Sequence, residues 1–324
     1  MKKGILCTLL FSLVFLFHAP DAQAAQQRLS IATGGTGGVY FPVGGAIARA
    51  VSKTGELQVT AESSNASVAN INLLGQREIE LAFAQQDVTY WAFNGHNMFN
   101  NPMPNIRTVM ALYPEHVHLV VGRDSGINTL EDLRGKRVSV GAPGSGFEAD
   151  SRAILEVAGM TFNDIRANRL DGASTVSRFK DGQLDAAFFV IGYPAPGPMD
   201  IATSRPINLV NFDKDFMDKL VAAHPFFVPS VIPGGTYHGI DKDTATPAVM
   251  ALIVTHDQMP EETIYTFLTN LFNNLPEIQA AHSKAQSITL ETAMDGVVAA
   301  PLHPGAARFF KEKGLTFPEG VVVQ

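Results

Sequence analysis

Apolar and polar positions along this chain alternate between two periods, and the alternation itself recurs. RLSIAT (28–33) has the pattern of a strand, GGTGG that of a turn, and VYFPVGGAIARAVSK (39–53) the spacing of a helix with one apolar face. LQVTAE (57–62) reads as a second strand, the Ser/Asn run 63–67 offers a helix cap before VANINLL, and IELAF (79–83) reads as a third strand. The same series then returns: RVSV and a glycine turn, the helix FEADSRAILEVAG (147–159), a further strand and helix, and the strand GQLDAAFFV (182–190). IELAF and LDAAF share an apolar, acid, x, Ala, Phe pattern at matching places.

Two α/β lobes of similar build are the simplest account of such a repeat. HVHLVVGRD (116–124) reads as the strand leaving the first lobe and TPAVMALIVTHDQMP (246–260) as the return, with a helical tail containing EETIYTFLTNLF and GAARFFKEKG. The expected organisation is lobe one from residues 26–117 plus 251–324 and lobe two from 118–250, with a hinge at the two crossings. Parallel strands followed by helices put the glycine and serine turns along one edge of each sheet, and two facing edges make a cleft that closes around a ligand.

The first 25 residues stand outside this pattern. Lys2 and Lys3 precede the apolar run ILCTLLFSLVFLF, and AQA-A follows at 22–25, which is the layout of a cleaved secretory signal. Cys7 lies inside the run, so the expected mature chain, beginning at Ala25 or Gln26 and located in the periplasm, has no cysteine and no disulfide. The net charge of -7 and the lack of a Lys/Arg-rich run argue against nucleic acid or an anionic membrane as partner.

Three turns could bind an anion at a helix N-terminus: GGTGGVY (34–40), the Ser/Asn run up to Ser67, and GAPGSGF (141–147). The third has the outline of a phosphate loop, yet Phe147 and Glu148 follow Gly146 where Lys and Ser/Thr belong, and Tyr40 takes the third-glycine place of a G-x-G-x-x-G motif in the first. Both failures argue against a nucleotide as the ligand. No nucleophile elbow surrounds Ser145, no catalytic residue is assigned, and His116 and His118 lack companions for a metal site. No metal and no cofactor are expected. Tyr40, Gln85, Gln86 and Tyr193 fall where predicted strands end, beside the expected cleft.

IATGGTGGVYFPVGGAIA, ALYPEHVHLVV, DLRGKRVSVGAPGSGFEAD, KDGQLDAAFFVIGYP and PLHPGAARFFKEKG resemble, along nearly the whole expected mature chain, successive signature segments of the TAXI group of solute receptors for TRAP transporters. The resemblance implies a two-lobed binding protein of the type II class that delivers a small organic acid, such as glutamate or a dicarboxylate, to a cation-coupled permease and catalyses no reaction. It also implies a ligand pocket at Gly34, Gly35, Tyr40, Ser64, Asn65, Ala66, Ser67, Asn70, Gln85, Gln86, Ser145, Gly146, Phe147, Glu148, Gly192 and Tyr193, with the receptor working as a monomer. In that pocket the Ser145 and Gly146 N–H groups would hold one carboxylate oxygen. The chain departs from the family pattern at two places: Ser64-Asn65-Ala66-Ser67 replaces a T-G-G-S-like run, and Phe147 replaces a frequent threonine. The alternative role is a sensor that passes ligand occupancy to a membrane partner.

Overall fold

In the computed structural model, which describes residues 26–317, the strands of both repeats join one mixed sheet. Strands β1 (Gln27–Ala32), β2 (Leu57–Glu62) and β3 (Leu81–Gln85) alternate with helices α1 (Tyr40–Val51), α2 (Ser67–Gly75) and α3 (Gln86–Asn94). Strand β4 (Ile106–Gly122) then leads into the second series: β5 (Arg137–Ser139), α4 (Gly146–Val157), β6 (Arg166–Asn168), α5 (Gly172–Lys180), β7 (Ala186–Ile191) and α6 (Pro196–Ser204). Strand β8 (Ile207–Leu209), α7 (Lys214–Ala223) and β9 (Val228–Ile232) precede the return strand β10 (Thr244–His256). Helices α8 (Glu261–Asn273), α9 (Leu275–Ala281) and α10 (Pro304–Glu312) form the tail. The sequence-predicted signal segment lies outside the described residues.

The strand order β2-β1-β3-β10-β4-β7-β5-β6 reads the same from either end. In each half the first strand of the repeat pairs in parallel with the second and third, and the third pairs antiparallel with a long strand, β10 for β3 and β4 for β7. The shared acid of the two repeats has the same task in both halves. Glu80 accepts the Ser30 N–H at 2.7 Å and Asp185 the Arg137 N–H at 2.8 Å, each on the first strand of its repeat. A carboxylate thus fills an acceptor position where the third strand is still too short to supply a carbonyl.

Side chains alternate across this sheet and feed two cores, one on each face. Leu81 and Phe83 join one cluster while Ala82 and Ala84 join the other; Ala187 and Phe189 likewise face away from Ala186 and Phe188. Being covered on both faces, β3 and β7 are buried throughout, which is why LAFAQ and AAFFVI are near-continuous apolar runs. Helix α1 lies close to its sheet because Gly44 has no side chain: a Cβ there would stand 2.4 Å from Thr33 Cγ2.

The first crossing strand is longer than its sequence signal, while β10 starts two residues before the predicted 246 and ends four before 260. β4 begins ten residues before the predicted 116, through Tyr113 and Pro114, and its part from Ile106 to His116 pairs with β10, with register shifts at Ala251/Leu252 and Ile253/Val254. Pro114 sits beside the first of these irregularities, where a missing N–H is tolerated. Both histidines of β4 are buried. The His118 Nδ1–H donates to the His116 carbonyl at 2.8 Å, while Nε2 accepts from the Tyr237 hydroxyl at 2.7 Å, whose oxygen accepts the Ala195 N–H at 3.0 Å. His116 Nε2 pairs with the Ser230 hydroxyl at 3.0 Å. Burial holds His116 near about 3 and His118 near about 4, so both are neutral and tie the second half of the chain to the crossing.

Candidate functional site

Helix α2, which follows the second strand of the first repeat, and helix α4, which follows the first strand of the second, bring their N-termini to one seam. α2 starts from Ala66, which holds a left-handed φ of 67° and supplies no side-chain cap. The turn before α2 is held by Ser64, whose hydroxyl accepts the Ala66 N–H at 3.0 Å and lies 2.6 Å from Asn70 Oδ1. Asn70 is fully buried, and its Nδ2 donates at 2.7 Å both to the Thr33 and to the Phe83 carbonyl, fixing α2 to β1 and β3. On the other side, α4 is capped by Ser145, whose hydroxyl accepts the Glu148 N–H at 3.1 Å. Glu148 reaches back to the Gly144 N–H at 3.0 Å and pairs with Arg169 at 2.9 Å. Left-handed Gly141 (φ 96°) lets the turn fold so tightly that a Cβ would lie 2.6 Å from the Glu148 nitrogen.

The two N-termini touch. The Ala69 N–H donates to the Gly144 carbonyl at 3.0 Å, and Gln85 Nε2, at the end of β3, donates to Asp150 Oδ2 on α4 at 2.9 Å. Gly146 is the point of closest approach, since a Cβ there would fall 1.5 Å from Gln85 Oε1 and 2.9 Å from Ser67 Oγ. Beneath this seam lies a cavity of ≈ 70 Å³. Its walls combine the 34–40 turn, the α2 and α4 starts, Gln85, Glu115 of β4, and Val190 and Ile191 of β7.

Of the sequence-predicted site residues, Gly34, Gly35, Tyr40, Ala66, Ser67, Gln85, Gly146 and Phe147 line this cavity. Ser64, Asn70, Ser145 and Glu148 stand behind it, holding the two turns as described. Asn65 is not among the lining residues, and the Gln86 side chain packs against Gly296, where a Cβ would meet its Oε1 at 2.5 Å. Tyr193 packs on His116, ring centroids 4.5 Å apart, with Lys284 Nζ 5.0 Å above its ring. Gly192 makes room for that lysine, whose side chain would be 2.6 Å from a Cβ. The expected pair of turn donors also moves by one residue. Ser145 gives its N–H to the Ala142 carbonyl at 3.0 Å, which leaves Gly146 and Phe147, with Ser67 and Val68 opposite, as the N–H groups without a partner among the described residues.

Glu115 is the residue that sequence reasoning missed. It is 3 % exposed, and its Oε2 accepts the Tyr40 hydroxyl proton at 2.6 Å. Burial pushes its carboxyl up to about 8, with Asp87 adding to the rise and Lys284 opposing it. The available signal was an acid inside the otherwise apolar strand ALYPEHVHLVV. Two more buried acids flank it: Asp87 on the first turn of α3 and Asp150 on α4, both fully inaccessible. Both Asp87 carboxylate oxygens and Asp150 Oδ1 have no hydrogen-bond partner among the described residues, and burial raises both groups above the ordinary carboxylate range. Among the described residues no group of three or more His, Cys, Asp and Glu is arranged to hold a metal ion.

A second groove, ≈ 790 Å³, lies between the α3 end and residues 223–226 and is lined by Tyr90, Trp91, Arg152 and Phe226 among others. It is open to solvent and receives no helix N-terminus. The small cavity, by contrast, lies beside unpaired backbone donors of the kind that favour a small charged solute.

The profile described as the NMT1-like family matches residues 31–314. Among solved structures, the chain is similar to the periplasmic binding protein BugD at 10% identity and TM-score 0.57, covering 89% of this chain and 98% of that one. It is also similar to a protein of Bordetella bronchiseptica RB50 (14% identity, TM-score 0.53, 90% and 99% covered). A third match is a putative L-cystine ABC transporter from Listeria monocytogenes (12% identity, TM-score 0.50, 82% and 98% covered). The fold is accordingly the two-lobed α/β arrangement of periplasmic binding proteins, as the sequence repeat implied.

Proposed function

The chain belongs to the NMT1-like family, and from that premise we propose that it is a periplasmic solute-binding receptor. It captures a small organic acid, a glutamate-like amino acid, dicarboxylate or related carboxylate, and delivers it to a TRAP-type cation-coupled membrane permease. The observation that carries this reading is the convergence of unpartnered N–H groups of α2 and α4, from opposite halves of the sheet, on one small cavity. Each helix start adds its partial positive charge, so an anion is favoured there without any cationic side chain. Residues 26–117 with 251–324 act as one lobe and 118–250 as the other, with β4 and β10 as the hinge. The contacts across the seam, Ala69 to Gly144 and Gln85 to Asp150, belong to the closed state.

The TRAP assignment rests on the signature segments, of which VGAPGSG forms the seam turn and PLHPGAARFFKEKG the α10 region. No helix among the described residues is long and apolar enough to cross a membrane. The test is a thermal-shift screen of amino acids, dicarboxylates and 2-oxoacids on refolded, ligand-free protein. A solute at 100 times its Kd stabilises the folded state by about 2.7 kcal/mol, which raises Tm by roughly 4 °C in a chain of this size. Absence of any shift at millimolar acid would refute the receptor reading.

A further inference from the structure

The cavity has ends of opposite character. On the seam side it meets Ser67, Gly146 and Phe147, whose N–H groups are unpartnered among the described residues. On the β4 side it meets Glu115, nine-tenths buried, of which only Oε2 is hydrogen bonded. The Tyr40 hydroxyl spends its single proton on that oxygen, so Oε1 has no donor among the described residues. No Lys, Arg or His is among the residues that line the cavity, and the remaining walls are mainly Val39, Phe147, Val190 and Ile191. A dicarboxylate would therefore present its second charge either to these apolar walls or to Glu115 itself, and both are unfavourable.

We propose that Glu115 is a specificity residue that selects amino acids with small apolar side chains: it accepts a hydrogen bond from the ligand's ammonium group while the α2 and α4 N–H groups hold the carboxylate. The inference rests on the receptor reading above and narrows its solute class. The small size of the cavity, ≈ 70 Å³ in the closed state, favours a short side chain over a long one. Phe147, packed edge-on against Phe189 with centroids 6.2 Å apart, closes the end at which a longer chain would enter.

The proposal has a proton signature. Around Glu115 stand Tyr40, Tyr113, Asp87, Asp150 and, as the one cation among the described residues, Lys284, and with the cavity empty the carboxyl keeps its proton up to about 8. An ammonium at Oε1 favours the ionised form, so Glu115 releases its proton to solvent as the amino acid binds. Affinity for an amino acid then rises with pH by up to about tenfold per unit below 8 and levels off above it. A simple carboxylate of the same length needs Glu115 protonated, and its affinity falls above that value.

The experiment is isothermal titration of refolded protein with 2-aminobutyrate, butyrate, valine, glutamate and succinate, in two buffers of different ionisation enthalpy at pH 7. Expected are release of close to one proton per 2-aminobutyrate, none for butyrate, and a preference of about tenfold or more for 2-aminobutyrate over butyrate. Glu115→Gln abolishes both the proton release and the preference; the release in the wild-type protein needs no variant, so a misfolded variant leaves the test intact. Tighter binding of succinate or butyrate than of 2-aminobutyrate, or amino-acid binding without proton release, would overturn the role of Glu115 and leave the receptor reading standing. Binding of none of these probes, nor of any acid in the thermal screen, would overturn both.

Discussion

Gly146→Ala isolates closure from folding. The residue begins α4 with an ordinary helical backbone, so alanine suits the helix and even favours it by about 1 kcal/mol. Its methyl group, however, would fall 1.5 Å from Gln85 Oε1. Gln85 cannot simply swing aside, because the same amide donates to buried Asp150, which has no other protein donor on Oδ2. The closed state must therefore give up that bond, and with it the Ala69 to Gly144 bond one turn away. Two interactions of about 1–1.5 kcal/mol each make about 2–3 kcal/mol, or roughly 30- to 140-fold in solute affinity. The assay is isothermal titration with the tightest acid of the screen, with the unfolding midpoint of the ligand-free variant as control. Affinity within about threefold of wild type, with an unchanged midpoint, would refute the claim that the seam closes over the solute.

Three further outcomes follow from individual residues. Glu115 has a raised pKa when folded, so the folded state holds more protons than the unfolded chain between 4.5 and about 8, and stability falls as pH rises through that window by up to about 5 kcal/mol. Glu115→Gln should flatten the fall of Tm between pH 5 and pH 8, measured by scanning fluorimetry; an unaltered slope would assign the dependence to Asp87 and Asp150 alone. Asn70→Ala leaves two buried carbonyls without their donor and should cost about 2–4 kcal/mol in chemical unfolding, whereas a cost under about 0.5 kcal/mol would mean that Asn70 does not anchor α2. Phe147→Thr opens the cavity toward Phe189 and should shift preference to longer side chains with little loss of Tm; an unchanged order of preference in titration would make Phe147 a packing residue only.

The repeat was legible because its marks have a physical cause that recurs. Glu80 and Asp185 each satisfy one strand N–H, so the acid appears at the same place in IELAF and LDAAF. The glycine turns were legible for a similar reason: left-handed Gly141 and the close approach at Gly146 both exclude a side chain. The roles within the turns were less so. Ser145 and Glu148 look like ligand donors in the chain, but they satisfy each other's turn, and the free N–H groups lie one residue further on. Glu115 was hidden because a strand pattern gives the face of a residue without saying which other half of the sheet will cover it. Tyr193 shows the converse, since the end of β7 does reach the cavity through Val190 and Ile191 while the tyrosine turns to His116. The start of β4 was obscured by Pro114, which reads as a breaker and is accommodated at a register shift.

Closure of two lobes around a solute is the central claim, and small-angle X-ray scattering tests it most directly. Refolded, ligand-free protein is measured with and without a saturating concentration of the tightest-binding acid. The account predicts a smaller radius of gyration with solute, because the contacts between Ala69 and Gly144 and between Gln85 and Asp150 exist only when the halves meet. A radius that stays the same at full occupancy would contradict it and leave a rigid pocket in place of a hinged receptor.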